Sequence, residues 1–418
     1  MSSRDCLQKA LRHQDSGRVP IDFGSTAVTG IHVSCVAALR DHYGLEKRPV
    51  KVCEPYQMLG EIEEDLASAI GVDTAGVLPP ATLFGFPLGG WKEWRAPWGQ
   101  ALLVPGDFQV NERPDGTYIY PAGDRTVPPS GRMPEGGYFF DTIIRQEPID
   151  EAKLDPADNL EEFGPVTDED LAHFARETDR AVASGRGVVA TFGGTAFGDI
   201  ALVPAPFLKH PKGIRDITEW YISTATRQDY LHAVFDRQCE IALANLAKVH
   251  AVVGDRVDVV FVCGTDFGTQ SSTFCSPQTF DSLYAPYYRQ VNDWIHGNTT
   301  WKTFKHSCGA VEPFMGRFSD VGFDVFNPVQ CSAAGMDAQT LKDCYGDRLV
   351  FWGGGVDTQH TLPYGTPADV REEVLRRCEI FSAGGGFVFN AVHNVQAKTS
   401  TANIVAMIDA VKEFNGEG

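Results

Sequence analysis

The sequence predicts a (β/α)8 barrel, and three observations predict it. Eight short apolar runs rich in β-branched and aromatic residues recur along the chain, amphipathic stretches alternate with them, and α/β barrels fill a length of 418 residues as a single domain. The runs are residues 19–23, 74–78, 187–192, 257–262, 300–305, 324–327, 349–352 and 386–390. Their unbroken apolarity suits strands buried on both faces, as in a parallel sheet. Eight of them alternating with helices favour a closed barrel over an open doubly wound sheet.

The helices between the runs carry recognisable starts. Ser276-Pro277 offers an N-cap with proline at the first helical position, followed by Phe280, Leu283, Tyr284, Tyr287 and Val291 at helical spacing. Thr366-Pro367 repeats the device before Val370, Val374 and Cys378, and Thr167 precedes Leu171, Phe174 and Val182 in the same manner. Residues 228–253 form a long amphipathic run, and 401–414 close the chain.

Residues 82–165 break the alternation. They are dense in Gly, Pro and aromatics, and Asp115-Gly116 between alternating runs signals a hairpin. The expectation is one barrel domain over residues 1–418, with antiparallel hairpins and loops inserted at 82–165 over one end. The aromatics Phe84, Phe86, Trp91, Trp94 and Trp98 either wall a ligand pocket or form the insertion's own core.

Composition narrows the function classes. A net charge of −19 supplies no basic excess to offset phosphates, which argues against nucleic acid and anionic membranes as partners. No run reaches the roughly 18 apolar residues of a membrane span, and residues 1–17 are too polar for a signal peptide. Ten cysteines are scattered without paired CxxC spacing, which fits reduced thiols in the cytoplasm.

Barrels place their chemistry on the loops after the C-terminal ends of strands. Candidates there are Asp266 after the fourth predicted strand, His306 and Cys308 after the fifth, Gln330 and Cys331 after the sixth, Gly353-Gly-Gly355 and Asp357 after the seventh, and His393 after the eighth. His306 and Cys308 stand two apart, so a strand persisting to 308 would send both side chains to one side, and Gly309 lets the backbone turn away. An imidazole and a thiolate projecting together are two legs of a zinc site. His393 is the best-placed third donor; Cys331 is its rival, and Asp266 could supply an oxygen. Cys331 reads equally as a plain buried thiol. The glycines at 353–355 either cradle a phosphate or make a tight turn, and Gly384-Gly-Gly386, before its strand, reads as a turn. His32, near the mouth of the first strand, is a lesser candidate.

From Asp266 onward the motifs form an ordered series: DFGTQ at 266–270, SP at 276–277, HSCG at 306–309, GFD at 322–324, NPVQ at 327–330, FWGGG at 351–355, GGG at 384–386 and ANI at 402–404, with RVPIDFG at 18–24 opening the chain. Together they resemble the uroporphyrinogen-decarboxylase-like superfamily, in particular its zinc-dependent corrinoid methyltransferase branch. The likeness is loose over residues 1–80 and close over 215–415. It implies a (β/α)8 barrel of that type, in which an HxC pair and a late cysteine hold zinc. His306 and Cys308 match the pair, and His393 stands where the late cysteine belongs. A set with one thiolate leaves the metal more positive and a stronger Lewis acid.

The implied function is zinc-dependent methyl or alkyl transfer to or from a small methylated or thiol substrate. The catalytic candidates are Asp266, with Gln330 and Asp357 in support. A corrinoid would come from a separate protein, since the chain carries no DxHxxG corrinoid-binding signature, and homodimerisation is expected by analogy with the fold. The alternative within the superfamily is a metal-free decarboxylase or lyase using Asp266 and His306 as acid/base groups. Its porphyrinogen-binding form needs an arginine-rich N-terminal segment, and residues 24–37 contain no arginine. A third reading is a binding barrel without catalysis.

Overall fold

The computed structural model describes residues 1–417. Seven strands form one all-parallel sheet in chain order: β1 (Thr74–Val77), β2 (Gly187–Ala190), β3 (Val259–Cys263), β4 (Lys302–His306), β5 (Val325–Asn327), β6 (Val350–Trp352) and β7 (Phe387–Val388). Residue 21 closes the ring. Ile21 bridges Phe389 in parallel, flanked by Asp22 N–H donating to the Phe389 carbonyl at 2.9 Å and Phe389 N–H to that of Pro20 at 2.8 Å. On its other side the Ile21 carbonyl accepts from Asp73 N–H at 2.7 Å.

The run at 19–23 is thus one bridge rather than a strand. Pro20 has no N–H to give, and the Ile21 N–H goes to the Asp73 carboxylate at 2.9 Å instead of a neighbouring carbonyl. A buried carboxylate replaces the ladder there. Asp22, fully buried, braces the same joint: it accepts from Trp352 Nε1 at 2.8 Å and Thr74 Oγ1 at 2.6 Å.

The strands' inward side chains, among them Val189, Val259, Phe304, Val325, Val350 and Trp352, form one apolar cluster with Leu7, Ala10 and Leu11. Leu7 and Ala10 belong to the helix Ser3–Ala10, which carries a capping box from Ser2 and Asp5 and plugs the end at which the strands begin. The terminus, polar in overall composition, thus buries Cys6, Leu7 and Ala10 on one face. The fit leaves no slack: a Cβ on Gly187 would lie 2.2 Å from Leu7 Cδ2. Gly187→Val should therefore cost about 1–3 kcal/mol by overpacking, measured as a lower denaturant midpoint; an unchanged midpoint would mean the plug yields.

The helix starts at Thr167 and Thr366 are capping boxes, and Ser276 accepts from Thr279 N–H as an N-cap. Between β1 and β2 lie two small sheets. One is antiparallel, built from Val110–Arg113, Gly116–Ile119, Gly131–Pro134 and Asp141–Thr142. The other pairs Lys92–Arg95 with Ala101–Val104 and recruits Val50–Glu54 and Leu59–Gly60 from before β1. Phe84 packs on Phe140, and both Phe86 and Trp94 pack on Phe108, with ring centroids 5.1–6.1 Å apart. Phe84, Phe86 and Trp94 thus belong to the insertion's own core, whereas Trp91 lies under Lys51 outside it. No helix among the described residues is long and apolar enough to cross a membrane.

Candidate metal centre

Phe304 points into the barrel, so the pleat turns His306, two residues on, the same way. Parallel register places Asn327, the last residue of β5, beside it. Asn327 Nδ2 donates to the Trp352 carbonyl at 2.8 Å, which leaves Oδ1 to accept; His306 Nδ1 stands 2.5 Å from it and carries the hydrogen. The lone pair on Nε2 is thereby left free, the arrangement usual in imidazoles that bind metals. Nε2 lies 3.3 Å from Cys308 Sγ and 4.0 Å from Asp266 Oδ1.

The strand stops at His306, so Cys308 is placed by a turn rather than by the pleat. Its N–H donates to Asp266 Oδ1 at 2.7 Å, and the Gly309 N–H donates to Gln330 Oε1 at 2.9 Å. Gly309 has φ +87°, and a Cβ there would meet the Gly268 and Thr269 carbonyl oxygens at 2.5 Å. Only glycine fits.

His393 follows β7. Its Nδ1 accepts the Asn394 N–H at 2.8 Å, and its ring centroid is 5.3 Å from that of His306. Asn394 ties the loop down, accepting from Gly30 N–H at 2.6 Å and donating to Ala27 and Gln57. One nitrogen of each imidazole and Cys308 Sγ lie within 4.8 Å of one another.

Burial holds both imidazoles neutral: it lowers His306 to about 4, and His393, with His306 beside it, to about 3. Burial, with Asp266 close by, raises the Cys308 thiol well above its ordinary range. One free imidazole lone pair, on His306 Nε2, and one thiol proton therefore converge beside the His393 ring, whose Nδ1 lone pair already accepts the Asn394 N–H. A cation would displace that proton and take up the thiolate, and this N,N,S donor set suits zinc.

The other candidates are placed as follows. Burial lifts the Asp266 carboxyl above the usual carboxylate range. Gln330, besides holding Gly309, donates to Gln270 Oε1 at 2.8 Å. Asp357 Oδ1 accepts the N–H groups of Gln359 and His360, both at 2.7 Å, and lies outside the three-donor cluster. Cys331 is also outside it, packed against the core. The amides of Gly353 and Gly355 donate to the Val388 and Asn390 carbonyls, and a Cβ on Gly355 would lie 2.3 Å from the Phe389 ring; the run is a close-packed turn. His32 is fully buried, donating from Nε2 to the Tyr138 carbonyl at 2.9 Å beside Trp98.

Three residues near the centre escaped the sequence reading. Asn327 was legible, since parallel register beside His306 follows from the strand runs. Asp199, buried after β2 and raised by that burial to about 6, is an acid at a strand mouth like those singled out. Lys305 had no signal, for a lysine inside an apolar strand looks like a sequence fault.

The family model for uroporphyrinogen decarboxylase (URO-D) matches residues 205–414, just over half of the chain. The uroporphyrinogen decarboxylase of Chlorobium luteolum (strain DSM 273 / BCRC 81028 / 2530) is 24% identical over 187 residues, 42% of this chain and 50% of that enzyme. That of Pseudoalteromonas translucida (strain TAC 125) is 31% identical over 91 residues, 21% of this chain and 25% of that enzyme. The matched stretches thus span half or less of these curated relatives. Among solved structures, a methyltransferase from Methanosarcina mazei superposes with a TM-score of 0.50 at 14% identity, over 99% of both chains; that likeness is one of fold. The chain belongs to the uroporphyrinogen decarboxylase (URO-D) family.

Proposed function

We propose that this chain is a zinc-dependent methyl or alkyl transferase that works with a separate corrinoid protein on a small methylated or thiol substrate. The observation that carries the reading is the meeting of one thiol and two neutral imidazoles within 4.8 Å, on the side of the barrel from which the strand-to-helix loops leave. A barrel shared from end to end with a protein described as a methyltransferase supports it.

His306, Cys308 and His393 would hold the ion. Bound zinc supplies Lewis-acid polarisation of a substrate heteroatom and stabilises the charge that gathers there as the alkyl group leaves. Asn327 keeps the His306 lone pair directed at the centre. Asp266, whose side chain is 22% exposed and whose carboxyl burial lifts above the usual carboxylate range, would exchange a proton with the substrate heteroatom. Gln330 fixes the turn after Cys308, and Asp357 fixes the loop after β6. The chain acts as one barrel domain with residues 82–165 as an inserted region, and its ten free cysteines suit a cytoplasmic enzyme.

A second reading, a metal-free decarboxylase or lyase using Asp266 and His306, is favoured by the two curated relatives, both uroporphyrinogen decarboxylases. Metal analysis beside a methyl-transfer assay separates the two. The transferase should carry about one zinc per chain, exchange methyl groups with a corrinoid protein, lose activity to a chelator and regain it with zinc. Metal-free protein that turns over a carboxylated substrate at full rate would overturn this in favour of the lyase.

A further inference from the structure

Lys305 has no solvent exposure, and among the described residues no carboxylate pairs with it. The pleat turns it away from the barrel axis, between the ends of β3 and β4 and the helices outside them. There Nζ donates to the carbonyl oxygens of Thr265 and His306, each at 2.5 Å. The aromatic rings of Phe267, Phe318 and Tyr288 surround the ammonium with centroids at 5.1, 5.4 and 5.9 Å, a cation–π cage where no carboxylate makes an ion pair, Asp199 and Asp266 standing further off.

A buried cation without a carboxylate is disfavoured, and a methionine of similar length would fill the same space without the desolvation cost. What the charge gains is specific. The Thr265 carbonyl belongs to the peptide that leads into Asp266, and the His306 carbonyl to the one that leads into Ser307 and Cys308. One side chain therefore grips the main chain of two neighbouring strand ends just where each delivers a group to the centre. Tyr288 reinforces the first grip by donating to Thr265 Oγ1 at 2.9 Å.

We propose that Lys305 is a positioning residue of the centre: by binding both carbonyls it holds the ends of β3 and β4 at the separation that brings Asp266 and Cys308 to the donor cluster. The effect on metal rests on the zinc reading above; the grip itself does not. Two measurements test it. In metal-free wild-type protein, native-state hydrogen exchange should find the Cys308 and Gly309 amides as slow as those of β4. Exchange there as fast as in the exposed stretch 270–272 would overturn the proposal without any variant. In Lys305→Met, the melting temperature of the metal-free protein should stay within a few degrees of wild type, the 307–310 amides should exchange at least about tenfold faster, and zinc affinity by chelator competition should fall about 10–100-fold, the range of outer-shell substitutions. Lys305→Arg, which keeps charge and donors, should recover most of both losses. Lys305→Gln replaces the methionine variant if that does not fold. A folded neutral variant with wild-type exchange and zinc affinity would sink the proposal, whereas wild-type protein that binds no zinc would sink the zinc reading and leave the exchange result to judge the grip.

Discussion

Replacing Cys308 by alanine should empty the centre, taking zinc from about one per chain to under a tenth in protein purified without added metal. Cys308 is the only anionic donor the three residues can offer, because burial keeps His306 and His393 neutral. Structural zinc sites bind with about 10–16 kcal/mol over four ligands, about 3 kcal/mol per ligand and roughly two decades in affinity; losing the sole thiolate should cost at least that. His393→Ala should lose metal similarly. Asp266→Asn should keep the metal within about tenfold, since it accepts the Cys308 amide without belonging to the cluster, yet lose most of its turnover. Cys331→Ala should change neither metal content nor turnover, being packed against the core outside the donor cluster. If Cys331→Ala loses the metal while His393→Ala retains it, the third donor has been misassigned.

The architecture was readable because a barrel strand needs little more than a short apolar run, and seven of the eight runs hold strands within two residues of their expected bounds. The run at 19–23 failed for a local reason that apolarity does not record: Pro20 has no N–H and the Asp73 carboxylate takes that of Ile21, which leaves a single bridge where a strand would form a ladder. The plug helix failed for the opposite reason. Cys6, Leu7 and Ala10 give it an apolar face, but nothing in eight residues says that the face will meet the open end of a barrel.

Around the centre, the strand-mouth rule located the residues and could not say how each would be used. Asp266 and Asp357 are both acids just past a strand, yet one holds the turn of Cys308 and the other two amides of its own loop. The difference lies in which amides the folded loops bring to each carboxylate, which composition and spacing do not carry. Lys305 shows the limit most clearly: its ammonium makes sense only once Phe267, Tyr288 and Phe318, from three separate segments, have folded around it.

The burial that keeps the centre's imidazoles neutral also acts elsewhere, and two buried groups of opposite type should give stability slopes of opposite sign. His32 is lowered by burial from 6.5 to about 4. Between those values the unfolded chain takes up a proton that the folded chain refuses, so the stability tied to His32 is whole above pH 6.5 and drains away as pH falls toward 4. Glu54 is raised by burial from 4.5 to about 7, even though it accepts the amides of Tyr56 and Leu83 at 3.0 Å. The folded chain holds that proton more tightly, so its contribution is whole below pH 4.5 and is lost as pH rises through 7. Each spans on the order of 3 kcal/mol. Wild-type stability alone would blur the two, because they oppose each other over the same range. Differences against variants separate them: the gap between wild type and His32→Gln should narrow as pH drops from 7 to 4.5, and the gap between wild type and Glu54→Gln should widen in wild type's favour. Each variant also loses a hydrogen bond, but that loss is constant with pH, so the slope carries the information and the offset does not. Urea unfolding of the three proteins at four pH values across that range is the measurement. Parallel curves would mean that water reaches both groups in the folded protein, and that burial is not what sets the protonation of these side chains.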